Sequence, residues 1–256
     1  MTARDEPQAP AITTRGLGLR VGGAEILCDV DLVVPAGHCL GVIGPNGAGK
    51  STLLNLLSGI LRPSAGTIEF AGDDVTALGA VARARLGVGR TFQTSSLFGT
   101  LSVLENARLA AEARRGGSRR FWHRPGPKDE ATRVASDALA AVGLESLARR
   151  PAGALSHGDK RKLELAILIA SDARTLLHDE PMAGVNTEDV GPLTDLIAGL
   201  SREGRTVVLI EHHMSVVVGL AETIAVLDSG RLLAHGTPDE VIANDEVQRA
   251  YLGQPL

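Results

Sequence analysis

The chain has 256 residues, is 44% hydrophobic and carries a formal net charge of −4. That is enough apolar material for one large core, or a core with a subdomain. The acidic balance excludes the basic footprint of a duplex-binding protein, so no nucleic-acid partner is expected. No run approaches the ~18 apolar residues that a membrane-spanning helix needs.

Residues 1–10 hold two prolines and mixed charge and read as a disordered leader, with no apolar stretch that could act as a signal peptide. Cys28 and Cys39 form no metal or redox motif and read as reduced interior thiols of a cytosolic protein. Residues 12–21 and 25–34 are strand-like runs around Gly22-Gly23, a hairpin pattern. Pro35-Ala36-Gly37 then turns the chain into a short β-prone run, residues 38–43.

Gly44, Pro45, Asn46, Gly47, Ala48, Gly49, Lys50, Ser51 and Thr52 follow, fitting the pattern G-x-x-x-x-G-K-[ST]. The apolar residues Leu53, Leu54, Leu56 and Leu57, with Ile60 and Leu61, are too dense for a surface helix. A strand before and a buried helix after is the setting that a phosphate-binding loop requires. Glycines let such a loop fold tightly and aim its N–H groups inward, where the helix N-terminus adds to the anion cradle. Lys50 would then reach the β- and γ-phosphates, and Ser51 would ligate Mg²⁺.

Arg62-Pro63-Ser64-Ala65-Gly66 is a turn, and residues 67–70 form another short strand. From about Gln93 the pattern becomes helical. Residues 101–114 open with Ser102 and Glu105 at capping-box spacing. Residues 116–128 are Gly-, Pro- and Arg-rich and interrupt regular structure. Next, Ala131, Val134, Ala135, Ala138, Leu139 and Val142 line one face of an amphipathic helix. Residues of roughly 94–160 therefore read as a helical subdomain inserted in an α/β core. The α/β pattern resumes with a strand at 174–177, a helix at 186–200 with Asn186 as candidate N-cap, and residues 205–210 as a central parallel strand. Strands at 224–227 and 231–234 follow. Thr237, Pro238 and Glu240 then open a last helix with cap, proline and capping box.

A phosphate loop alone leaves kinases, GTPases and many ATPases open. The strand at 174–177 ends in His178, Asp179 and Glu180. Beside a phosphate loop, Asp179 suits holding Mg²⁺, and Glu180 suits orienting or deprotonating the water that attacks the γ-phosphate.

Leu155-Ser156-His157-Gly158-Asp159, about 25 residues before those acids, makes the pattern specific. The chain resembles the nucleotide-binding subunit of an ABC transporter, whose signature is usually Leu-Ser-Gly-Gly-Gln. The resemblance implies a P-loop NTPase of α/β class, with a RecA-like core, an N-terminal antiparallel β-subdomain and an inserted helical subdomain, over residues 11–256. It implies that Ser156 and Gly158 contact the γ-phosphate bound to a second subunit. Gly89-Arg90-Thr91-Phe92-Gln93 is similar to the family's Q-loop, which makes Gln93 a ligand of Mg²⁺ and of the attacking water. Ile210-Glu211-His212-His213-Met214 is similar to the switch region, which makes His212 a hydrogen-bond donor to the γ-phosphate. Pro181-Met182-Ala183-Gly184-Val185-Asn186 corresponds to the D-loop, with Asn186 where Asp is commoner.

The run Arg90–Phe98, the Leu101–Asn106 segment, the basic insert near 113–128 and the ending Ala250-Tyr251-Leu252-Gly253 resemble the ATPases of branched-chain amino-acid and urea importers. That implies ATP and Mg²⁺ as ligands, a homo- or heterodimer, transmembrane permease subunits near Gln93, Leu97 and Phe98, an indirect solute-binding protein, and a peripheral place on the cytoplasmic face of the cell membrane. Lipopolysaccharide-export ATPases share several of these features and are the runner-up. A soluble, non-transport ABC ATPase usually has two cassettes or a long coiled coil, and this chain shows neither.

Two departures stand out. Relatives stack adenine on an aromatic residue near the position of Val21, yet the first aromatic residue here is Phe70. Val21 or Arg20 would pack on the base instead, with weak discrimination. His178 stands where an apolar residue is usual. It reads as a tolerated core histidine or, more sharply, as a contact that tunes Mg²⁺ ligation.

Overall fold

A computed structural model describes residues 9–92, 96–114 and 129–251. The strands are β1 (Ile12–Val21), β2 (Ala24–Val34), β3 (Cys39–Ile43), β4 (Ala65–Phe70), β5 (Asp73–Asp74), β6 (Val88–Arg90), β7 (Thr175–Asp179), β8 (Thr206–Ile210), β9 (Thr223–Asp228) and β10 (Arg231–Gly236). The helices are α1 (Lys50–Leu57), α2 (Ala80–Arg85), α3 (Val103–Arg114), α4 (Glu130–Ala141), α5 (His157–Ala170), α6 (Thr187–Arg202), α7 (Met214–Leu220), α8 (Pro238–Ile242) and α9 (Asp245–Tyr251).

Two sheets organise them. The first is antiparallel, in the order β2-β1-β4-β5. Its β1–β2 hairpin turns at Gly22 and Gly23, with φ of 55° and 90°, the double positive φ that a two-residue loop needs to match the strand twist. The second has the order β10-β9-β3-β8-β7-β6. Its β9, β3, β8, β7 and β6 are parallel neighbours, and β10 runs antiparallel at the edge. Every residue of β3, β7 and β8 is buried. Helices or the other sheet cover both faces, which is why Leu176-Leu177 and Val207–Ile210 read as apolar runs.

Alternation along the strands sends neighbouring side chains to opposite faces. On one face Leu40, Val42, Leu177, Val208 and Ile210 meet Leu53, Leu54, Leu56 and Leu57 of α1, which in turn meet Ile12, Leu17, Leu27 and Ile68 of the antiparallel sheet. Helix α1 is thus sandwiched between two sheets, and that explains its apolar density. On the other face Leu176, Val207 and Leu209 meet side chains of α3, α4, α5 and α6, Val103, Ala135, Leu163 and Ile197 among them.

Local signals match the elements they predict. Glu105 N–H donates to Ser102 Oγ at 3.2 Å while Ser102 N–H donates to Glu105 Oε2 at 2.8 Å, a reciprocal cap on α3. The same box joins Thr237 and Glu240 at α8. Asn186 does occupy the N-cap position of α6, but its side chain makes no capping hydrogen bond.

Ile60 departs from expectation. It does not continue the buried face of α1 but is 48% exposed. The helix stops at Leu57 in a Schellman turn, where Gly59 has φ 74° and Ile60 N–H donates to Asn55 O at 3.0 Å. The fully buried Arg83 guanidinium also takes the Leu56 and Leu57 carbonyls at 2.6 and 2.9 Å, which closes the helix end.

Candidate nucleotide site

The loop between β3 and α1 is shaped by three glycines with different jobs. A Cβ at Gly44 would lie 2.1 Å from Leu227 O, and one at Gly49 would lie 2.7 Å from Leu27 Cδ2. Neither position has room for a side chain, because β9 and β2 press on the loop from either side. A Cβ at Gly47, where φ is +83°, would meet nothing within 4 Å. Pro45, Asn46 and Gly47 form the exposed crest, Ala48 and Gly49 are buried beneath it, and Ser51 and Thr52 begin the solvent side of α1. Open space over a glycine crest at a helix N-terminus is what a phosphate chain would occupy.

Lys50 is buried under this crest. Its Nζ donates to Gly44 O at 2.7 Å and to Pro45 O at 2.9 Å, so the loop curls around the ammonium. Burial pushes its pKa below the ordinary lysine value, and the nearby Glu180 and Asp179 carboxylates act the other way.

The acidic side comes from the C-terminal ends of β7 and β8. Ser51 Oγ–H donates loosely to Asp179 Oδ1 at 3.5 Å. Glu180 sits just past the strand with φ 51°, a sparsely populated conformation for a side-chain-bearing residue. Its N–H donates to Ile210 O at 3.0 Å. Its carboxylate Oε1 is 2.8 Å from His212 Nε2. An ionised carboxylate only accepts, so the nitrogen facing it carries the proton.

The family model described as "ABC transporter" matches residues 27–183. The chain belongs to the ABC transporter family. A second model, "Branched-chain amino acid ATP-binding cassette transporter", matches residues 231–255 of the cassette. The cassette is 37% identical over 251 residues to the Salmonella typhimurium high-affinity branched-chain amino acid transport ATP-binding protein LivG, covering 96% of this chain and 98% of that one. The Pseudomonas aeruginosa BraF protein of the same description is 37% identical over 252 residues, with 96% and 98% coverage. Among solved structures, a nucleotide-free ATP-binding cassette from an ABC transporter superposes with TM-score 0.84 at 28% identity, covering 96% of this chain and 100% of that one. The ADP conformation of the cassette MJ1267 gives TM-score 0.83 at 27% identity, with 96% and 99% coverage. The cassette is an ATPase of this fold, with the α/β core and the two sheet types expected from its sequence.

Lys50, Ser51, Asp179, Glu180 and His212 therefore converge, while other predicted residues do not join them. Ser156 caps α5 by accepting the Asp159 N–H at 3.1 Å. Gly158 is buried against α6, where an added Cβ would stand 2.7 Å from Asp189 Oδ2. Among the described residues, no hydrogen bond runs from Ser156 or Gly158 to the phosphate loop. Val21 is 58% exposed at the hairpin end, beside the Arg20–Glu25 ion pair. Gln93 and the basic stretch 119–124 lie outside the described residues.

Residues in hand do suit a divalent cation: Ser51 Oγ and Asp179 are hard oxygen donors beside the open crest, which leaves room for phosphate oxygens to complete the shell.

His178 answers differently from the sharper expectation. Its ring is fully buried on the face opposite Asp179, with Nδ1 3.0 Å from Thr91 Oγ1. It touches the segment leading to Gln93, not the Asp179 carboxylate. Its Nε2 has no hydrogen-bond partner among the described residues. Burial, reinforced by the Arg161 charge, lowers its pKa to about 4.

Two residues that matter escaped the sequence reading. Arg90 Nη2 lies 3.1 Å from Asp179 Oδ2 with side-chain exposures of 8% and 10%. Its Nη1 also donates to Asn55 Oδ1 at 2.7 Å and Ser58 Oγ at 3.0 Å. Arg90 thus holds Asp179 against α1 and neutralises it. Burial lowers the Arg90 pKa, and Asp179 opposes that shift. Glu211, named in the sequence only as part of the stretch similar to the switch region, is the second.

Proposed function

We propose that this chain is the ATP-binding and ATP-hydrolysing subunit of an importer for branched-chain or related hydrophobic amino acids. What supports it most is the 2.8 Å contact between Glu180 and His212 beside the phosphate loop, in a chain whose relatives along nearly its whole length are named for branched-chain amino acid transport.

In this reading the crest 44–49 and Lys50 hold the triphosphate, and Val21 lies against the base. Ser51, Asp179 and Gln93 would hold Mg²⁺, which would supply charge to offset that of the β- and γ-phosphates. Arg90 pairs with Asp179 and keeps it aimed until then. Glu180, at φ 51° just past the end of β7, takes the proton of the attacking water. His212 holds that carboxylate through Nε2–H and is exposed enough to exchange it for the γ-phosphate.

Ser156 and Gly158 stand apart from this cluster and serve the ATP of a second subunit, so two cassettes enclose two nucleotides. The permease docks near Gln93, Leu97 and Phe98. Phe98 is 61% exposed, a receiving surface rather than core. Among the described residues no helix is long and apolar enough to cross a membrane. In this reading, which rests on relatives named as transport ATP-binding proteins, the cassette lies peripherally on the cytoplasmic face, with a solute-binding protein contacted only through the permease.

Glu180→Gln tests this. Removal of a general base of this kind lowers turnover by about 10²–10⁴-fold. Size-exclusion chromatography with light scattering should show an ATP-dependent dimer. A variant that keeps wild-type turnover, or stays monomeric with ATP, would count against the mechanism.

A further inference from the structure

We propose that Glu211 is a positioning residue that ties the loop following Glu180 to the histidine that holds it. The proposal rests on the reading of Glu180 and His212 as the hydrolytic pair. Glu211 follows β8, whose side chains are aliphatic but for Thr206, and it is itself only 3% exposed. A carboxylate buried there is costly unless its lone pairs are taken. They are taken by two separate loops. Oε1 accepts the Met182 N–H at 2.8 Å, and Oε2 accepts the His212 N–H at 3.1 Å and faces His213 Nδ1 at 3.3 Å.

Met182 lies two residues past Glu180, in the turned segment leading to α6. Ala183 N–H donates to Glu180 O at 3.0 Å and Val185 N–H to Met182 O at 3.2 Å there. Three links therefore join the same two loops: Glu180 N–H to Ile210 O, Glu180 Oε1 to His212 Nε2, and the Glu211 clamp. The first two leave the His212 backbone and residues 181–185 free to shift against each other. The third does not. A displacement of residues 182–186, the segment that would meet a second cassette, is carried by the Met182 N–H through one rigid carboxylate to the His212 N–H. Glu211 never reaches the nucleotide and acts only by setting where His212 stands.

Glu211→Gln is the direct test. The amide keeps one acceptor oxygen, and its NH₂ group opposes a backbone N–H, so one loop is released at nearly unchanged volume. The expected result is about a tenfold fall in kcat with KM for ATP within about twofold, the signature of a contact that matters after binding. In the double variant with His212→Ala, the Glu211→Gln loss should vanish, because a residue acting through His212 has nothing left to position. Turnover is counted per folded molecule by circular dichroism at the assay temperature, and the cycle is repeated with Glu211→Met in case the glutamine variant folds poorly.

Unchanged kcat, or a loss that multiplies in full onto that of His212→Ala, would overturn the proposal. If His212→Ala and Glu180→Gln both retain wild-type turnover, the hydrolytic reading itself fails. If those two lose activity while Glu211→Gln does not, only the clamp fails.

Discussion

The buried His178 makes a sharp prediction about acid stability. Its pKa is 6.5 in an ordinary setting and about 4 in the fold, with desolvation as the first cause and the Arg161 charge as the second. Above pH 6.5 the ring is neutral whether the chain is folded or not, and stability is complete. As pH falls from 6.5 toward 4, the unfolded chain takes up a proton that the folded chain refuses, so stability is lost across that window. At pH 5 the unfolded ring is almost wholly protonated and the folded one only about a tenth, which corresponds to about 2 kcal/mol relative to pH 7. The limit below pH 4 is about 3 kcal/mol.

His178→Leu, of similar volume, removes this term. It also removes the buried Nε2 that lacks a partner while leaving Thr91 Oγ1 without one, so the two variants should differ by no more than about 1 kcal/mol at pH 7. Urea unfolding of the nucleotide-free protein at pH 7 and pH 5 is the assay. Other groups titrate equally in both proteins, so the wild type should lose about 2 kcal/mol more than the variant on acidification, with unchanged m-values. Parallel losses would refute the reasoning and mean that the ring finds a proton acceptor in the fold.

Three further predictions follow from the site. Gly44→Ala should lose several kcal/mol of stability through its clash with Leu227 O, whereas Gly47→Ala should fold with a penalty of about 1 kcal/mol and chiefly lose nucleotide affinity; thermal melts paired with nucleotide titrations separate the two, and equal melting temperatures for both variants would contradict the geometry. Arg90→Met leaves Asp179 buried without its counter-ion and should cost about 3 kcal/mol without nucleotide; Mg²⁺-ATP should stabilise this variant more than the wild type, and equal ligand-induced shifts would count against the pairing. Because the first aromatic residue is Phe70, ATP and GTP should bind within about tenfold of each other, and an ATP preference above about a hundredfold, about 2.7 kcal/mol, would show another base-recognition device.

Much of this cassette is written locally in its sequence. The phosphate loop is legible because the strand, the glycines, Lys50 and the following helix are contiguous, and a few neighbouring dihedral angles produce the cradle. The reciprocal caps at Ser102–Glu105 and Thr237–Glu240 and the Gly22-Gly23 turn are legible for the same reason: donor and acceptor lie within three residues of each other. Strand β8 declares its central place because both of its faces are covered, so it is aliphatic from Val207 to Ile210.

Ile60 is exposed although the apolar run reaches it, because the helix ends before Gly59 and only backbone geometry marks that end. The partners of the charged groups belong wholly to the tertiary structure. Arg90 meets Asp179, Thr91 meets His178, and Glu211 meets Met182 because the sheet order sets β8 and β6 on either side of β7. A carboxylate that accepts from a distant N–H leaves no trace in local composition or periodicity. The sequence by itself determined the half of the site that grips phosphate; the stacking of parallel strands decided which charges surround it, since that stacking alone brings together residues far apart along the chain.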